Sequence, residues 1–469
     1  MCNFFKKVNK NKNELVKFIN KLSIKIVMKK ESVKEKVKRS LKSANHDAIA
    51  TSAMIGFGER YISAFAIALG ASNLIIGLLT ALPQSIAPLF QLYALRLLRY
   101  VNRKKLVLFS VLLQSLMWIP ILLIPFIFKK IGVYLIVPFV ILYFLFGGFG
   151  GPAWVSWMGD LVNKSQRGIY FGKRNEMAGL TSLVAVFIAG YVLDLFSKGF
   201  VGFAIIFGLA SMFRLIAFFL INKMYEPKLV LEQKYYFSLF KFIQRMKNNN
   251  FGRFVIYIAL LNLTANIAGP FYAVYMLRDL AFSYKMFMFV TITASIISFL
   301  SMPLWGKFGD KYGNVRVMKI TAYLVTLMPF LWMFYDNFYY ILAIQLVGGF
   351  AWAGMNLSHL NFIYDTVTQQ RRAICSCYLN ILRGIGIAIG AIGGGLVANY
   401  VHVDYLKYSL YLVFLLSGIF RFLIIPIILH VKEVRPVEKR PLHHMFDTLH
   451  DSAFSKMRGL YGMFGISKK

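Results

Sequence analysis

The sequence predicts an all-α integral membrane protein with twelve transmembrane helices in two pseudo-symmetric six-helix bundles. Three observations lead to this prediction. The 469 residues are 58% hydrophobic and only 16% charged, with a mean hydropathy of +0.60, which is more apolar surface than a soluble fold can bury. Apolar runs of about 20 residues, long enough to cross a hydrocarbon core of about 30 Å, recur with short polar breaks. Finally, residue patterns of the first half recur in the second half.

The apolar runs and the polar breaks between them set the predicted helices in chain order. The predicted helices are 47–69, 73–97, 105–127, 132–159, 168–195, 199–222, 253–277, 284–306, 316–335, 338–363, 373–401 and 406–430. Breaks such as 70–72 and 197–198 are so short that successive helices must pack antiparallel as hairpins. The predicted domains are a basic N-terminal segment (1–45), a first bundle (46–222), a linker (223–252), a second bundle (253–431) and a tail (432–469).

The basic residues predict the orientation in the membrane. The 54 Lys and Arg outnumber the 19 Asp and Glu, giving a net charge of +35, and most of them fall in alternate loops and in the two tails. This asymmetry is typical of cytoplasmic loops, so we predict a multi-pass protein of the cell membrane with both termini in the cytoplasm. The segments 1–45 and 223–252 mix lysines with apolar residues, which favours contact with anionic lipid at the inner surface. We expect no nucleic-acid partner, because no aromatic-basic module interrupts the helices.

Several classes of function lack their sequence signals. The chain has no Gly-x-x-x-x-Gly-Lys-Ser/Thr loop, no His-Glu-x-x-His motif and no comparable catalytic or metal cluster. The three cysteines, Cys2, Cys375 and Cys377, are too few for a disulfide framework. We therefore expect no enzyme activity, no cofactor and no metal site, and we expect a monomer.

The internal repeat supports the division into two halves. At an offset of 205 residues, Asp160, Arg167, Asn175 and Gly179 recur as Asp365, Arg372, Asn380 and Gly384; at 201, Gly147-Gly148-Phe149 recurs as Gly348-Gly349-Phe350; at 207, Phe213-Arg214 recurs as Phe420-Arg421. Two parallel repeats of six helices are the architecture of a carrier with its solute site between the halves near the middle of the membrane.

A charged loop follows the eighth predicted helix. From Gly306 to Arg316 it reads Gly-Lys-Phe-Gly-Asp-Lys-Tyr-Gly-Asn-Val-Arg. This resembles the signature loop of the major facilitator superfamily, Gly-x-x-x-Asp-Arg/Lys-x-Gly-x-x-Arg/Lys, with Asp310 and Lys311 at its charged core. We expect Gly306 to permit close helix approach, Gly313 to permit a tight turn, and Asp310 to pair with cations when the inner mouth is shut.

The resemblance covers the twelve helices, but its motif is confined to the second half. The corresponding loop 94–105 keeps the basic residues and lacks the acid and the glycines. The resemblance implies a secondary transporter that moves a small solute by alternating access, driven by an ion gradient or by the gradient of the solute, with proton coupling as one option. It does not imply a substrate. A polytopic protein without a solute cycle, such as a sensor or a lipid scramblase, is the alternative.

Charged residues at the inner helix ends resemble the gating charges of this superfamily. They are Asp160, Arg167, Asp365 and Arg372, with Arg174 and Glu176 nearby. Solvated charges at loop ends are the alternative interpretation.

Charged residues inside the predicted helices are the first candidates for the site, since each costs at least about 2.5–3.5 kcal/mol to insert. Glu59 and Arg60 lie near the middle of the first helix, and Glu59 is the candidate carboxylate for proton or cation coupling. The equal alternative is a structural Glu59 paired with Arg60 or Arg383. The repeat-related Arg214 and Arg421 are expected to extend to the inner membrane surface.

Other polar and aromatic residues are expected to form the wall of a solute site, with interhelical packing bonds as the alternative. They are Gln84, Trp154, Asn262, Asn266, Trp352, Asn356, His359 and Arg383. Asn262 and Asn266 share a helix face, and Gly269-Pro270 after them predicts a kink. A row of glycines in the eleventh helix, Gly386, Gly390 and Gly394, predicts close contact with a neighbouring helix.

Overall fold

The computed structural model describes residues 33–97, 100–128, 131–163, 167–227, 238–246, 249–401 and 403–437. Within these ranges the chain forms twelve long helices in two groups of six. The first half contains α1 (Val33–Phe57, a 3-10 turn at Glu59–Tyr61, then Ile62–Ala68), α2 (Asn73–Leu97), α3 (Arg103–Ile127), α4 (Gly132–Phe149 and Gly151–Leu161), α5 (Arg167–Leu195) and α6 (Val201–Asn222).

The second half repeats this arrangement after a short linker helix, Leu239–Met246. It contains α7 (Asn250–Ala268, Phe271–Val274 and a π turn at Tyr275–Asp279), α8 (Tyr284–Tyr312), α9 (Asn314–Leu331), α10 (Phe338–Thr366), α11 (Gln369–Tyr400) and α12 (Leu410–Leu429). Ten of the described helices are long and apolar enough to cross a membrane. The protein is thus a multi-pass membrane protein, as predicted.

The main difference from the predicted helices is the start of α1. It begins at Val33, so residues 33–45, which the sequence assigned to the N-terminal segment, extend the first helix. The extension packs on the end of α6: Ser43 Oγ donates to the Leu220 carbonyl at 2.7 Å, and Ser40 Oγ accepts from the Tyr225 amide at 2.7 Å. Its lysine-rich pattern hid this small-residue face from the sequence analysis.

Two helices break where the local chemistry requires it. In α1, a side chain on Gly58 would collide with the Trp118 ring, so the ring packs on bare backbone beside the 3-10 turn. In α7, the helix is interrupted at Gly269 and Pro270. Proline has no N–H to donate to the carbonyl four residues earlier, that of Asn266. The kink predicted at Gly269-Pro270 is therefore present.

The glycine row of α11 makes the predicted close contact, and its partner is α7. Side chains at Gly386, Gly390 and Gly394 would collide with backbone carbonyls of α7. On another face α11 meets α2 of the first half, where Gly384 lies against the backbone of Gln84 and Gly77 lies against that of Ala391. The two halves are therefore joined along α2 and α11.

The ends of the helices define two sides of the molecule. We call the side that carries residues 33 and 437 the terminal side, and the side that carries the connections at 69–72, 196–200, 280–283 and 401–409 the opposite side. The region between the two halves contains the candidate site.

Candidate functional site

A cavity of about 630 Å³ lies between the two halves, within the usual range for small-molecule sites. Helices α1 and α5 of the first half and α7, α8, α9, α10 and α12 of the second half line it. Its polar and aromatic lining residues include Arg60, Ser182, Asn262, Asn266, Tyr272, Thr291, Ser295, Ser298, Trp332, Gln345, Trp352 and Arg421. No carboxylate is among the described residues that line the cavity.

Four of the ten predicted site residues line this cavity. They are Arg60, Asn262, Asn266 and Trp352. The amide nitrogens of Asn262 and Asn266 donate to the carbonyls one turn earlier, both at 2.8 Å, which leaves their side-chain oxygens as acceptors. The shared face predicted for the two asparagines is therefore a cavity wall.

Glu59 and Arg60 are neighbours in sequence but lie in different surroundings, because they follow each other on the 3-10 turn. Arg60 is exposed to the cavity. Glu59 is outside the cavity lining and accepts a hydrogen bond of 2.7 Å from the hydroxyl of the fully buried Tyr143 of α4. Within the described part of the chain, neither Arg60 nor Arg383 lies within ion-pair distance of Glu59, so the predicted structural pairing is not formed.

The other five predicted wall residues also lie outside the cavity lining. They are Gln84, Trp154, Asn356, His359 and Arg383. Trp154 packs against Trp157 and beneath the Arg174 guanidinium, and His359 packs against Phe254. Helical spacing could place these residues on a face, but it could not identify the neighbour that each face meets.

The two repeat-related arginines do not reach the membrane surface, contrary to the expectation. Arg214 is 9% exposed and Arg421 is 2% exposed, because each finds hydrogen-bond partners inside its bundle. Arg214 Nη1 donates to Thr51 Oγ1 at 2.8 Å, and Thr51 in turn donates to the buried Asp47 at 3.2 Å. Asp47 also pairs with Arg174 of α5 at 3.4 Å.

Arg421 is held by backbone carbonyls instead. Its Nη1 donates to the Val325 carbonyl at 2.8 Å and its Nη2 to the Ala265 carbonyl at 3.4 Å. The Val325 carbonyl is free to accept because Pro329, four residues later in α9, has no N–H. This role of Arg421 was not predicted; the signal available in the sequence was an arginine within a predicted helix and a proline on a neighbouring helix.

On the terminal side, the gating candidates form one charge cluster in each half. In the first half Arg103, fully buried, lies 2.6 Å from Asp160 and 3.6 Å from Glu226, and it donates to the Pro227 carbonyl at 2.8 Å. Arg103 thus supplies the cation of a cluster in the loop that lacks the motif.

In the second half Asp365 accepts from Asn314 at 2.8 Å and lies 3.1 Å from Arg435, which is 3.7 Å from Asp310. Both clusters hold one half together rather than joining the two halves. The cation that meets Asp310 comes from the segment after α12. Glu433 accepts from the Val315 amide at 2.9 Å. Glu226 and Glu433 differ by 207 residues, the same offset as the two arginines, which was the signal available in the sequence.

The glycines of the motif differ in whether their position requires a glycine, and its flanking cations differ in what they contact. Gly313 has φ +96°, the tight turn that was expected. A side chain at Gly306 would meet only Leu357, at 3.8 Å, so close helix approach does not require a glycine there. Lys311 lies over the Tyr312 ring, and Arg316 borders a separate basic pocket on the terminal side.

The remaining two gating candidates start α5 and α11. Arg372 donates to the Tyr364 carbonyl at 3.1 Å and lies over the Tyr364 ring. The side chain of Arg167 lies outside the described part of the structure.

On the opposite side, three hydrogen bonds between described residues join the two halves. Arg278, in the π turn of α7, donates to Asn73 Oδ1 at 3.0 Å and to the Ala71 carbonyl at 2.5 Å. The Asn73 amide donates to the Ala398 carbonyl of α11 at 3.0 Å. We call Arg278, Asn73, Ala71 and Ala398 the latch. An aromatic contact also joins the halves, between Phe203 of α6 and Tyr284 of α8.

The sequence profile described as Major Facilitator Superfamily matches residues 254–466, which include the second six-helix half and its signature loop. The second half of the chain thus matches the superfamily that its signature loop resembles. A comparison with curated protein sequences finds no match. This match and the transporter folds among the structural neighbours indicate a transporter rather than an enzyme.

Solved transporters share the fold of this chain over most of its length. A variant of the nucleoside transporter NupG has a TM-score of 0.67 at 13% identity, covering 84% of this chain and 100% of that chain. A D-xylose-proton symporter has a TM-score of 0.62 at 12% identity, covering 86% and 99%. A bacterial homologue of the human lysosomal transporter Spinster, inward-facing and occupied, has 0.61 at 13%, covering 84% and 95%. At these identities the similarity concerns the fold.

Proposed function

We propose that this protein is a secondary transporter that moves a small solute by alternating access, with the cavity between the two halves as its binding site. The observation that carries the proposal is that both halves line one cavity while the latch holds them together on the opposite side. Rocking of one half against the other would open the latch and expose the same cavity to that side.

The proposed orientation places the terminal side in the cytoplasm of a cell. The excess of Lys and Arg in the tails and in the alternate loops supports this orientation. Basic pockets at that side, one bordered by Arg39, Lys42, His46 and Lys223, favour anionic lipid headgroups there. The structure would then be open toward the cytoplasm, with the protein acting as a monomer.

We further propose Glu59 as the coupling carboxylate if transport is driven by protons. Glu59 is hydrogen-bonded to Tyr143 and is adjacent in sequence to Arg60, which lines the cavity. A change of charge on Glu59 would therefore act next to the bound solute. Arg214 attracts both Glu59 and Asp47 electrostatically, so the same change would extend to the buried network of the first half.

Uptake into proteoliposomes tests the transport function. A broad panel of labelled solutes is offered with and without an imposed pH gradient, and fluorescent lipid is included to report flipping. We expect saturable uptake of at least one solute above that of protein-free liposomes. Absence of uptake across the panel, together with lipid flipping, would instead support a scramblase.

The substitution Glu59→Gln tests the coupling. It removes the charge while keeping a hydrogen-bond acceptor for Tyr143, so we expect uptake that no longer responds to the pH gradient, while exchange without a gradient persists. Asp404→Asn, at an exposed carboxylate on the opposite side, is the matched control. Gradient-driven uptake that survives Glu59→Gln unchanged would remove Glu59 from this role.

A further inference from the structure

The cavity has a charge imbalance that indicates the class of its solute. Arg60 and Arg421 both line it, and no carboxylate does so among the described residues. A cation left without a counter-ion in a low-dielectric site is costly, so an anion that enters the site gains from both arginines.

The repeat shows that this imbalance is specific to one half. Arg214 and Arg421 occupy equivalent positions, but Arg214 donates to Thr51, which in turn donates to the buried Asp47. The hydrogen-bond partners of Arg421 are the carbonyls of Val325 and Ala265 and the hydroxyl of Tyr272, none of which is a carboxylate. The first half thus places a carboxylate near its arginine, whereas no carboxylate among the described residues forms an ion pair with Arg421 in the second half.

The hydrogen bonds of Arg421 point the same way. A guanidinium has five N–H donors, and the two carbonyls use one each on Nη1 and Nη2. Arg421 also donates a hydrogen bond to the hydroxyl of Tyr272, which lines the cavity. The two carbonyl bonds fix the orientation of the side chain in advance, so a ligand would bind a preorganised donor rather than a mobile one.

We infer that the transported solute is an organic anion whose carboxylate or phosphate group binds Arg421, with Arg60 as the second cation. The inference rests on the proposed transport function. The uncharged part of the solute would meet the amides of Asn262 and Asn266 and the aromatic wall of Tyr272 and Trp352. Arginine suits this role because its planar donors match the oxygens of carboxylate and phosphate.

Matched pairs of solutes that differ in charge test the inference. The probes are D-glucuronate and D-glucose 6-phosphate against D-glucose, and benzoate against benzamide and benzamidine. Thermal stabilisation of the purified protein measures binding, and proteoliposome uptake measures transport. We expect binding of the anionic member of a pair only. We also expect Arg421→Gln to weaken it about ten- to hundredfold, the usual effect of losing a charged hydrogen bond.

Two further variants separate ligand binding from folding. Arg421→Lys keeps the charge without the planar donors, so it should retain part of the affinity. Arg60→Gln, at an exposed residue, should weaken binding of the same anion even if Arg421→Gln fails to fold. Arg245→Gln on the exposed face of the linker helix also removes one positive charge and should leave binding unchanged.

The results that would overturn the inference differ from those that would overturn transport. The anion site is overturned, but the transporter is not, if the wild type takes up a neutral or cationic probe. In that case Arg60→Gln and Arg421→Gln would leave the uptake of this probe unchanged. Failure of every anionic probe to bind the wild type also overturns it. Absence of uptake for all solutes, with lipid flipping, overturns the proposed function itself.

Discussion

The latch sets how strongly the two halves are held together on the opposite side. Arg278 contributes two of its three hydrogen bonds, to Asn73 at 3.0 Å and to Ala71 at 2.5 Å. A hydrogen bond to a charged group contributes about 1.5–3 kcal/mol, and less where solvent competes. Because Arg278 is exposed, we assign about 1–2 kcal/mol to both bonds together. Arg278→Ala should therefore shift the ratio of the two conformations about 5- to 30-fold toward opening on the opposite side.

Distances between spin labels on the two halves measure this shift. Labels on cysteines at Lys198 and Tyr405, in a protein without its native cysteines, lie in exposed connections of the opposite side. We expect Arg278→Ala to increase the population at long distance. Lys407→Ala is the matched control, because it removes an exposed cation of the same side whose bond, to Asp336, stays within the second half. Unchanged distances in Arg278→Ala would refute the latch.

Three further predictions concern stability. Arg103→Ala leaves two carboxylates without their buried cation and should cost about 3 kcal/mol, measured as a lower melting temperature in detergent; wild-type melting would contradict this. Gly390→Ala should destabilise by about 1–3 kcal/mol, because the methyl group meets the α7 backbone, whereas Gly393→Ala has open space; equal effects would contradict the α7–α11 contact. The hydrogen bond between Lys407 and Asp336 lowers the pKa of Asp336 from 3.8 and raises the pKa of Lys407 from 10.5. The stability that this hydrogen bond contributes is lost only as pH falls through the lowered pKa of Asp336 or rises through the raised pKa of Lys407. The difference in melting temperature between wild type and Asp336→Asn should therefore be the same at about pH 5 and about pH 9. A difference that changes between these values would contradict the pairing.

The sequence was informative wherever a local pattern has one physical solution. Apolar length and the repeat predicted the helices and the two bundles, because a spanning segment must satisfy its backbone bonds internally. Gly269-Pro270 predicted a break in α7, and the spacing of Asn262 and Asn266 predicted a shared face. The signature loop predicted the superfamily whose profile matches the second half of the chain.

The sequence failed where the outcome depended on which helices meet. It grouped Glu59 with Arg60, but a 3-10 turn directs one toward Tyr143 and the other toward the cavity. It predicted that Arg421 extends to the membrane surface. The carbonyl that Arg421 binds instead is that of Val325, which lies on another helix and is distant in sequence. Residues such as His359 were on suitable faces that turned out to meet side chains of their own half.

The sequence by itself therefore determined a membrane-spanning, twofold repeated, helical fold, since composition, length and periodicity act through each helix separately. Only the tertiary structure decided the charge of the site. Arg214 and Arg421 are equivalent in the repeat, and what distinguishes them is whether a carboxylate of a neighbouring helix lies nearby. In the first half this carboxylate is Asp47, which Arg214 reaches through Thr51. In the second half Arg421 lines the cavity instead.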